Sequence, residues 1–315
     1  MRRLIECVPN FSEGRDHKRI EALVAAVSGI KGAAVLDLHS DPDHNRSVVT
    51  LAGEPEPVTE AALRGVGKAA ELIDLRNQRG EHPRIGAIDV LPFVPIDGVT
   101  IKDCVPLARH AGEEIWARHK IPVFFYEEAA LRPERQQLES VRSGEFEYLR
   151  EAVLRNADRI PDIGGPALHF SAGAVAVGAR KFLIAYNINL NTPDVSVAKK
   201  IARLIRTSGG GLPHVKAIGV HLKERGLAQV SMNLTDFEQT SVRRVFEVVR
   251  LEAERNGCSI HSSEIVGLVP RKALGPDDAA YLQLEDFSPA KKILETRLAM
   301  KINEETPHGI SLRSI

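Results

Sequence analysis

The 315-residue sequence predicts an α+β protein made of two ferredoxin-like (βαββαβ) subdomains, with sheets facing a central cleft and helices outside. Three observations predict this. Short apolar runs of strand type alternate with longer segments whose apolar residues recur at helical spacing. The order β-α-β-β-α-β occurs once in each half, as a repeat of pattern rather than of residues. Apolar residues make up 43% of the chain, enough for two cores.

In the first half, "LIECVPNF" reads as a strand and "HKRIEALVAAVSGI" as an amphipathic helix. The strands "AAVLDL" and "RSVVTLAG" flank a polar loop, and the alanine-rich helix "PVTEAALRGVGKAAELIDL" leads to the strand "IGAIDVLPFVPI". A helix, strand and helix follow: "CVPLARHAGEEIWARHK", "PVFFYEE" and "SGEFEYLREAVLRNA". "RIPDIGGPALHFSAGAVAVGARK" reads as irregular. In the second half, "KFLIAYNINL" is a strand, "DVSVAKKIARLIRTSG" a helix ending at glycines, and "VKAIGVHL" and "LAQVSMNL" are strands joined by "KERG". The helix "EQTSVRRVFEVVRLEAERNG" and the strand "SEIVGLVP" close the unit. The expected subdomains are 1–178 and 179–315.

Lys and Arg number 42, equal to Asp and Glu, and aromatics are 5%. A chain without net charge has no electrostatic case for nucleic acid or an anionic membrane, and few rings leave no stacking platform for single strands. The three cysteines, Cys7, Cys104 and Cys258, form no CxxC pair and fit a reducing compartment. The N-terminus does not read as a signal peptide, and no apolar run approaches the length of a membrane helix. A cytoplasmic protein is expected.

Four stretches carry groups capable of chemistry. "DLHSDPDHNRS" gathers Asp37, His39, Asp41, Asp43 and His44, which suits either a metal or a polar turn between strands; no HxxxH or HExxH accompanies it. "RGEHPRIGA" sets a lone histidine, His82, before a strand, with Arg79 and Glu81 beside it to tune it and Pro83 to fix its backbone. It is either a satisfied histidine at a strand start or a proton shuttle, because imidazole titrates near neutral pH. "PDIGGPALHFSAGA" fits no nucleotide-binding fingerprint; it is either a linker or a backbone surface laid against a planar ligand. In "GARKFLIAYNINL", Arg180 and Lys181 at a hairpin are either anion contacts or a solvated turn, and Asn187 and Asn189 share one strand face that suits hydrogen bonding into a cleft.

Taken together, "ECVPNFSEGR", "DHNRSVVTLAG", "GEHPRIGAIDVLPFVP", "GARKFLIAYNINL", "LAQVSMNLTDFE" and "GLVP" resemble the formiminotransferase family over nearly the whole chain. The resemblance implies two ferredoxin-like subdomains and a homodimer. It implies transfer of the formimino group from N-formimino-L-glutamate to N5 of tetrahydrofolate, a co-substrate, with no metal, in histidine degradation. The helical cyclodeaminase domain of the bifunctional members has no counterpart here, so a stand-alone transferase is expected, with a separate cyclodeaminase as a conceivable partner.

The family's catalytic histidine falls on His82. Its folate segment falls on Ile163, Gly164, Gly165, Pro166, Ala167, Leu168, His169, Phe170, Ser171 and Ala172. Its catalytic aspartate falls on His39, a departure that leaves the acid's role open; Asp37, Asp41 and Asp43 lie close by in sequence, and Asn45 and Arg46 match the motif. Arg46 and Arg84 are candidates to clamp the donor's carboxylates, with Asn45, Arg180, Asn187 and Asn189 as further donor contacts. The alternatives are a folate enzyme using formylglutamate or 5-formyltetrahydrofolate, a non-catalytic folate-binding protein, and a metal-dependent hydrolase built on the 37–44 loop.

Overall fold

The computed structural model describes residues 3–42, 44–80, 82–222 and 225–305, and the chain divides into two compact units, Met1–Arg180 and Lys181–Ile315. Both are mixed α+β.

In the first unit, β1 (Leu4–Cys7) and β2 (Asn10–Phe11) are one strand line interrupted at Val8–Pro9, where proline has no N–H for the ladder. It runs between β4 (Arg46–Gly53) and β5 (Ile88–Asp97), antiparallel to both, and β3 (Ala33–Asp41) flanks β4. In chain order the fourth, first, third and second strands are neighbours, which is the ferredoxin-like arrangement. Two strands extend it: β7 (Val175–Ala179) pairs parallel to β5, and β6 (Val123–Glu127) parallel to β7.

The apolar stripes of α1 (His17–Val27), α2 (Pro55–Leu72) and α3 (Ile101–His119) cover one face over Phe11, Val49, Leu51, Leu91, Phe93 and Val177. Their starts are sequence-coded: Asp16 accepts the N–H groups of Lys18 and Arg19, Pro55 opens α2, and Thr100 and Asp103 form a capping box. On the other face, Val141 of α4 (Leu138–Arg142), with Leu149 and Val153 of α5 (Glu145–Arg155), packs on Val90, Phe124, Tyr126 and Ala176. The β1–β4 part of that face instead buries polar groups, among them Glu6, Asn10 and Thr50.

The second unit orders its sheet β11–β8–β10–β9, from β8 (Ile184–Leu190), β9 (Val215–Leu222), β10 (Leu227–Leu234) and β11 (Ile260–Val266). This is again the fourth, first, third and second strand in chain order. Alternate residues Ile184, Tyr186, Ile188 and Leu190 meet the stripes of α6 (Val195–Ile205) and α7 (Val242–Arg255). Helical segments Asp278–Tyr281, Pro289–Lys292 and Leu294–Glu305 follow. Among the described residues no helix is long and apolar enough to cross a membrane.

Two expectations change. The stretch read as irregular contains β7, and Arg180–Lys181 is no hairpin, because β7 and β8 belong to different sheets. "VAVGA" is short and apolar without alternation, the pattern of a strand buried on both faces, which periodicity alone does not separate from a loop or helix fragment.

The run into β5 pairs with the turn before β7. The Ala87 N–H donates to Ala172 O at 2.9 Å, the Ala174 N–H to Ile85 O at 2.9 Å, and Gly86 faces Gly173. A Cβ at Gly86 would lie 2.0 Å from Ala174 O, an approach that only glycine permits. Gly86→Ala is therefore expected to lower stability by about 2 kcal/mol or more, read as an earlier urea midpoint.

Candidate active site

His82 lies in the loop between α2 and β5, facing a narrow cleft that is also lined by Asn10, Phe11, Ser12, His44, Asn45, Arg46, Arg84 and Asp89. The β3–β4 turn supplies His44 and Asn45. The Asp41 carboxylate accepts the His44 N–H at 2.9 Å and pairs with His44 Nδ1 at 2.9 Å, closing the turn. The His44 ring then meets His82 edge-on, with centroids 6.5 Å apart.

Asn45 adopts a left-handed conformation (φ 50°), which asparagine tolerates better than most residues. Its side chain is a clasp rather than a free contact. Oδ1 accepts the Gly14 N–H at 2.9 Å, while Nδ2 donates to Gln78 Oε1 at 2.5 Å and to Arg79 O at 3.0 Å. Gln78 continues to the buried Glu13 carboxylate at 3.2 Å, which also accepts the Arg15 and Asp16 N–H groups at 3.0 Å.

Arg46 begins β4 and donates through Nη2 to Asn10 Oδ1; its Nε is buried without a partner. Burial first, and Arg142 second, lower its pKa to about 10, against the pull of Asp89 and Asp41. Asp89 is the extra residue of a bulge in β5, since Asn10 faces Val90 while Phe11 faces Ile88. The buried carboxylate accepts the Ile85 N–H at 2.8 Å on one oxygen and Arg142 Nη2 on the other. Nε of Arg142, like that of Arg46, is buried and unpartnered.

Burial, then Arg46, Arg142 and His44, push His82 down to about 2, opposed by its contact with the Pro83 backbone. His82 is therefore a neutral imidazole at physiological pH.

Arg84 is buried and already engaged. Nη2 donates to Gln78 O at 2.8 Å and Glu147 Oε1 at 2.8 Å, and Nη1 to Glu145 Oε2 at 3.1 Å. Arg79 turns toward Glu147, 3.6 Å away, and Glu81, expected to tune His82, lies outside the described residues, as does Asp43 of the 37–44 loop. His39 is exposed on β3 opposite Val48, and by the two-residue period it shares a face with Asp41 and with Arg46, the residue opposite Asp41. Among the described residues, no three His, Cys, Asp or Glu side chains gather into a metal-binding group.

The stretch Ile163–Ala172 starts beside β6, where Ile163 bridges Val123, and ends against the run into β5 three to five residues after His82. Gly164 and Gly165 have positive φ (74° and 113°), and Gly165, Pro166 and Ala167 are exposed. His169 Nδ1 accepts the Ala172 N–H at 3.0 Å. Phe170 is 73% exposed, and the Arg76 guanidinium stands 3.9 Å from its ring centre. Pairing thus brings the glycine-rich stretch to the His82 loop.

Arg180 bonds through its N–H to Phe93 O at 3.0 Å, and its guanidinium opposes the burial that pushes Tyr126 up to about 12. Lys181 pairs with the buried Asp236 at 2.5 Å. Within the second sheet, Asn187 donates to Glu264 at 2.9 Å and Asn189 to Ser262 at 3.0 Å, and Gln229 donates to Asn189 at 2.9 Å. The two asparagines do share one face, as elements of a network.

Sequence reasoning missed Asp89, Arg142, Asn10 and the Glu13–Gln78 pair. A single acid inside the apolar run "IGAIDVLPF" was a usable signal for Asp89. Arg142, in the plain polar segment "SVRSGE", gave none.

The N-terminal subdomain of the formiminotransferase domain matches residues 4–180, and the formiminotransferase domain matches residues 185–302. The chain is 48% identical to the glutamate formimidoyltransferase of Streptococcus pyogenes serotype M1, over 95% of this chain and 99% of that protein. It is 45% identical to the glutamate formimidoyltransferase of Thermoplasma acidophilum, over 96% and 99%. The formimidoyltransferase-cyclodeaminase of Rattus norvegicus is 43% identical over 96% of this chain and 56% of its own length.

Two outcomes follow from this geometry. Asn45→Ala leaves the buried Gly14 N–H and Gln78 amide short of a partner, and is expected to cost about 1–3 kcal/mol in urea unfolding. Because the His82 pKa is lowered in the folded state, the unfolded chain takes up that proton first as pH falls below about 6.5. His82→Asn should therefore lose less stability between pH 7 and pH 4.5 than the native protein, by about 2–3 kcal/mol; equal losses would contradict a depressed His82.

Proposed function

This chain belongs to the formiminotransferase family, and we propose on that premise that it is a glutamate formimidoyltransferase. It moves the formimino group of N-formimino-L-glutamate to N5 of tetrahydrofolate, giving 5-formiminotetrahydrofolate and L-glutamate. The observation that carries the site assignment is the neutral, half-buried His82 in a cleft beside Arg46 and against the glycine-rich turn.

An amidine carbon under attack by an amine carries nitrogens and no oxyanion, so an oxyanion hole would serve nothing. The hard task is moving the proton from N5 to the departing glutamate nitrogen. One group must accept and then donate it, and a neutral imidazole can do both. Arg46, with a buried N–H unspent and only a neutral amide bonded to it, suits a carboxylate of the donor. Arg84 is a less available clamp, since Glu145 and Glu147 already hold it. Asp41, bonded to the His44 that faces His82, is the nearest described counterpart of the acid that His39 replaces, and would steady the amidinium.

The glycine-rich stretch suits folate as co-substrate: exposed, glycine-opened backbone beside the exposed Phe170 ring offers a flat surface to a planar ligand. Folate would supply the nucleophilic nitrogen. Holding donor and acceptor together contributes much of the rate. We further place the enzyme in the cytoplasm as a homodimer, with free cysteines Cys7, Cys104 and Cys258 in keeping with a reducing compartment.

A second reading, transfer of a formyl group, is favoured by one observation: a neutral formyl donor needs no facing anion, and position 39 is a histidine. Formiminoglutamate and formylglutamate should be compared as donors with His82→Ala alongside. Formimino transfer is expected to dominate and to fall about 10²–10⁴-fold in the variant, with folate affinity kept and EDTA without effect. Faster formyl transfer would move the assignment to that donor, and undiminished turnover in the variant would remove His82 from the chemistry.

A further inference from the structure

An unbalanced cluster of charge adjoins the cleft: Arg46 and Asp89 line it, and Arg142 reaches it through Asp89. Two guanidiniums, Arg46 at the start of β4 and Arg142 at the end of α4, act on each other and on His82. Between them Asp89 of β5 bonds Arg142 directly and attracts Arg46 through space. The other described charged groups near His82 are committed. His44 is tied to Asp41, which also attracts Arg46 from the end of β3; Arg84 of the same loop is held by Glu145 and Glu147 of α5; Arg79 turns to Glu147.

Among the described residues Arg142 has one directly bonded carboxylate and Arg46 is bonded only to a neutral amide; the Nε of each is buried and unpartnered, as is that of Arg84, whose terminal nitrogens are paired with Glu145 and Glu147. Two cations with one bonded carboxylate between them are short of one negative charge away from water, which suits the cluster to an anion. The donor of the proposed reaction carries two carboxylates, and the present inference rests on that reading for the anion's identity.

We propose that Arg46 and Arg142 form a carboxylate subsite for the donor, and that the anion seated there enables His82 to accept a proton, so that proton transfer waits for the donor. Asp89 is the positioning residue of this device: one oxygen fixes Arg142 and the other fixes the Ile85 N–H, three residues after His82.

The atoms balance. As the bond from N5 to the amidine carbon forms, the N5 proton passes to His82; as the bond from that carbon to the glutamate nitrogen breaks, His82 returns the proton to that nitrogen. No other reactant is required. In the unliganded protein His82, held near 2, is too weak a base to take up the proton readily. Burial is the larger cause and stays; an anion on Arg46 and Arg142 offsets the two guanidiniums that add to it, and so raises the His82 pKa.

The test uses N-acetyl-L-glutamate, which carries both carboxylates but no transferable amidine, with the full-length protein and no folate. Its affinity is read by calorimetry and His82 is titrated by NMR through its ring Cε1–H. The ligand is expected to raise the His82 pKa by one unit or more. Arg46→Gln and Arg142→Gln should each weaken binding at least tenfold and raise the ligand-free His82 pKa, while Arg142→Lys keeps most of both properties. The idea is overturned if the ligand does not bind, if it binds without moving His82, or if both glutamine variants bind as the native protein does. Formimino transfer by the native enzyme is assayed separately. Transfer without a ligand-induced shift would remove the coupling and leave the function standing. A shift without transfer would leave the subsite standing and remove the function.

Discussion

One buried carboxylate, Asp89, sets the working end of the first unit. The β-bulge that carries it breaks the alternation of β5 and turns the side chain out of the ladder. From there it reaches the backbone at Ile85 and the guanidinium of Arg142, two segments far apart in sequence. The His82 loop thus leans on the sheet through Asp89, and α4 docks on the same point. An apolar residue at position 89 would satisfy the strand pattern better. The acid is kept where it costs most in desolvation, and its two bonded neighbours repay that.

A second constraint is steric. Gly14 lies so close to the β3–β4 turn that a Cβ there would stand 2.2 Å from Asp41 O, and Gly80 so close that its Cβ would stand 2.3 Å from His44 O. Asn45 threads between these backbones and bonds both sides. Three loops distant in the chain are thereby drawn onto one another, and the turn carrying His44 and Arg46 is held against the loop carrying His82. Nothing in this arrangement depends on a long flexible side chain. That suits a site whose proton must travel a fixed short path.

The alternating order of strands and helices was legible because binary pattern and helix starts are local: Asp16, Pro55 and Thr100 each mark a start in the sequence. β7 was not, since its five apolar residues carry no alternation once both faces are buried. His82 and Arg46 were legible because flanking residues mark them and because the motifs resemble a known family. Their electrostatic setting was not. Arg142 arrives from a helix that the sequence barely signals, and the pairing of Ala172 and Ala174 with the His82 loop depends on a long-range strand match. Asn45 and Arg84 were legible as polar residues of interest, but only coordinates reveal that the Asn45 amide and the terminal nitrogens of Arg84 are bonded to the protein. The local sequence names the reagents, and the contacts between distant segments decide which remain available.

On the proposed reaction, the charge of the cleft accounts for a histidine, rather than a lysine or a carboxylic acid, at position 82. The incoming amidinium is itself a cation, and a second fixed cation at that spot would repel it. A fixed carboxylate would pair with it and be held in its ionised form. Imidazole, kept neutral by burial first and by Arg46 and Arg142 after it, admits the amidinium without repulsion. The donor's two carboxylates then bring the negative charge that the two guanidiniums lack. Protein and donor are each unbalanced alone and close to neutral together. In a narrow cleft of fixed polar groups, that is the condition under which a proton can move from one nitrogen to another without a large change in solvation.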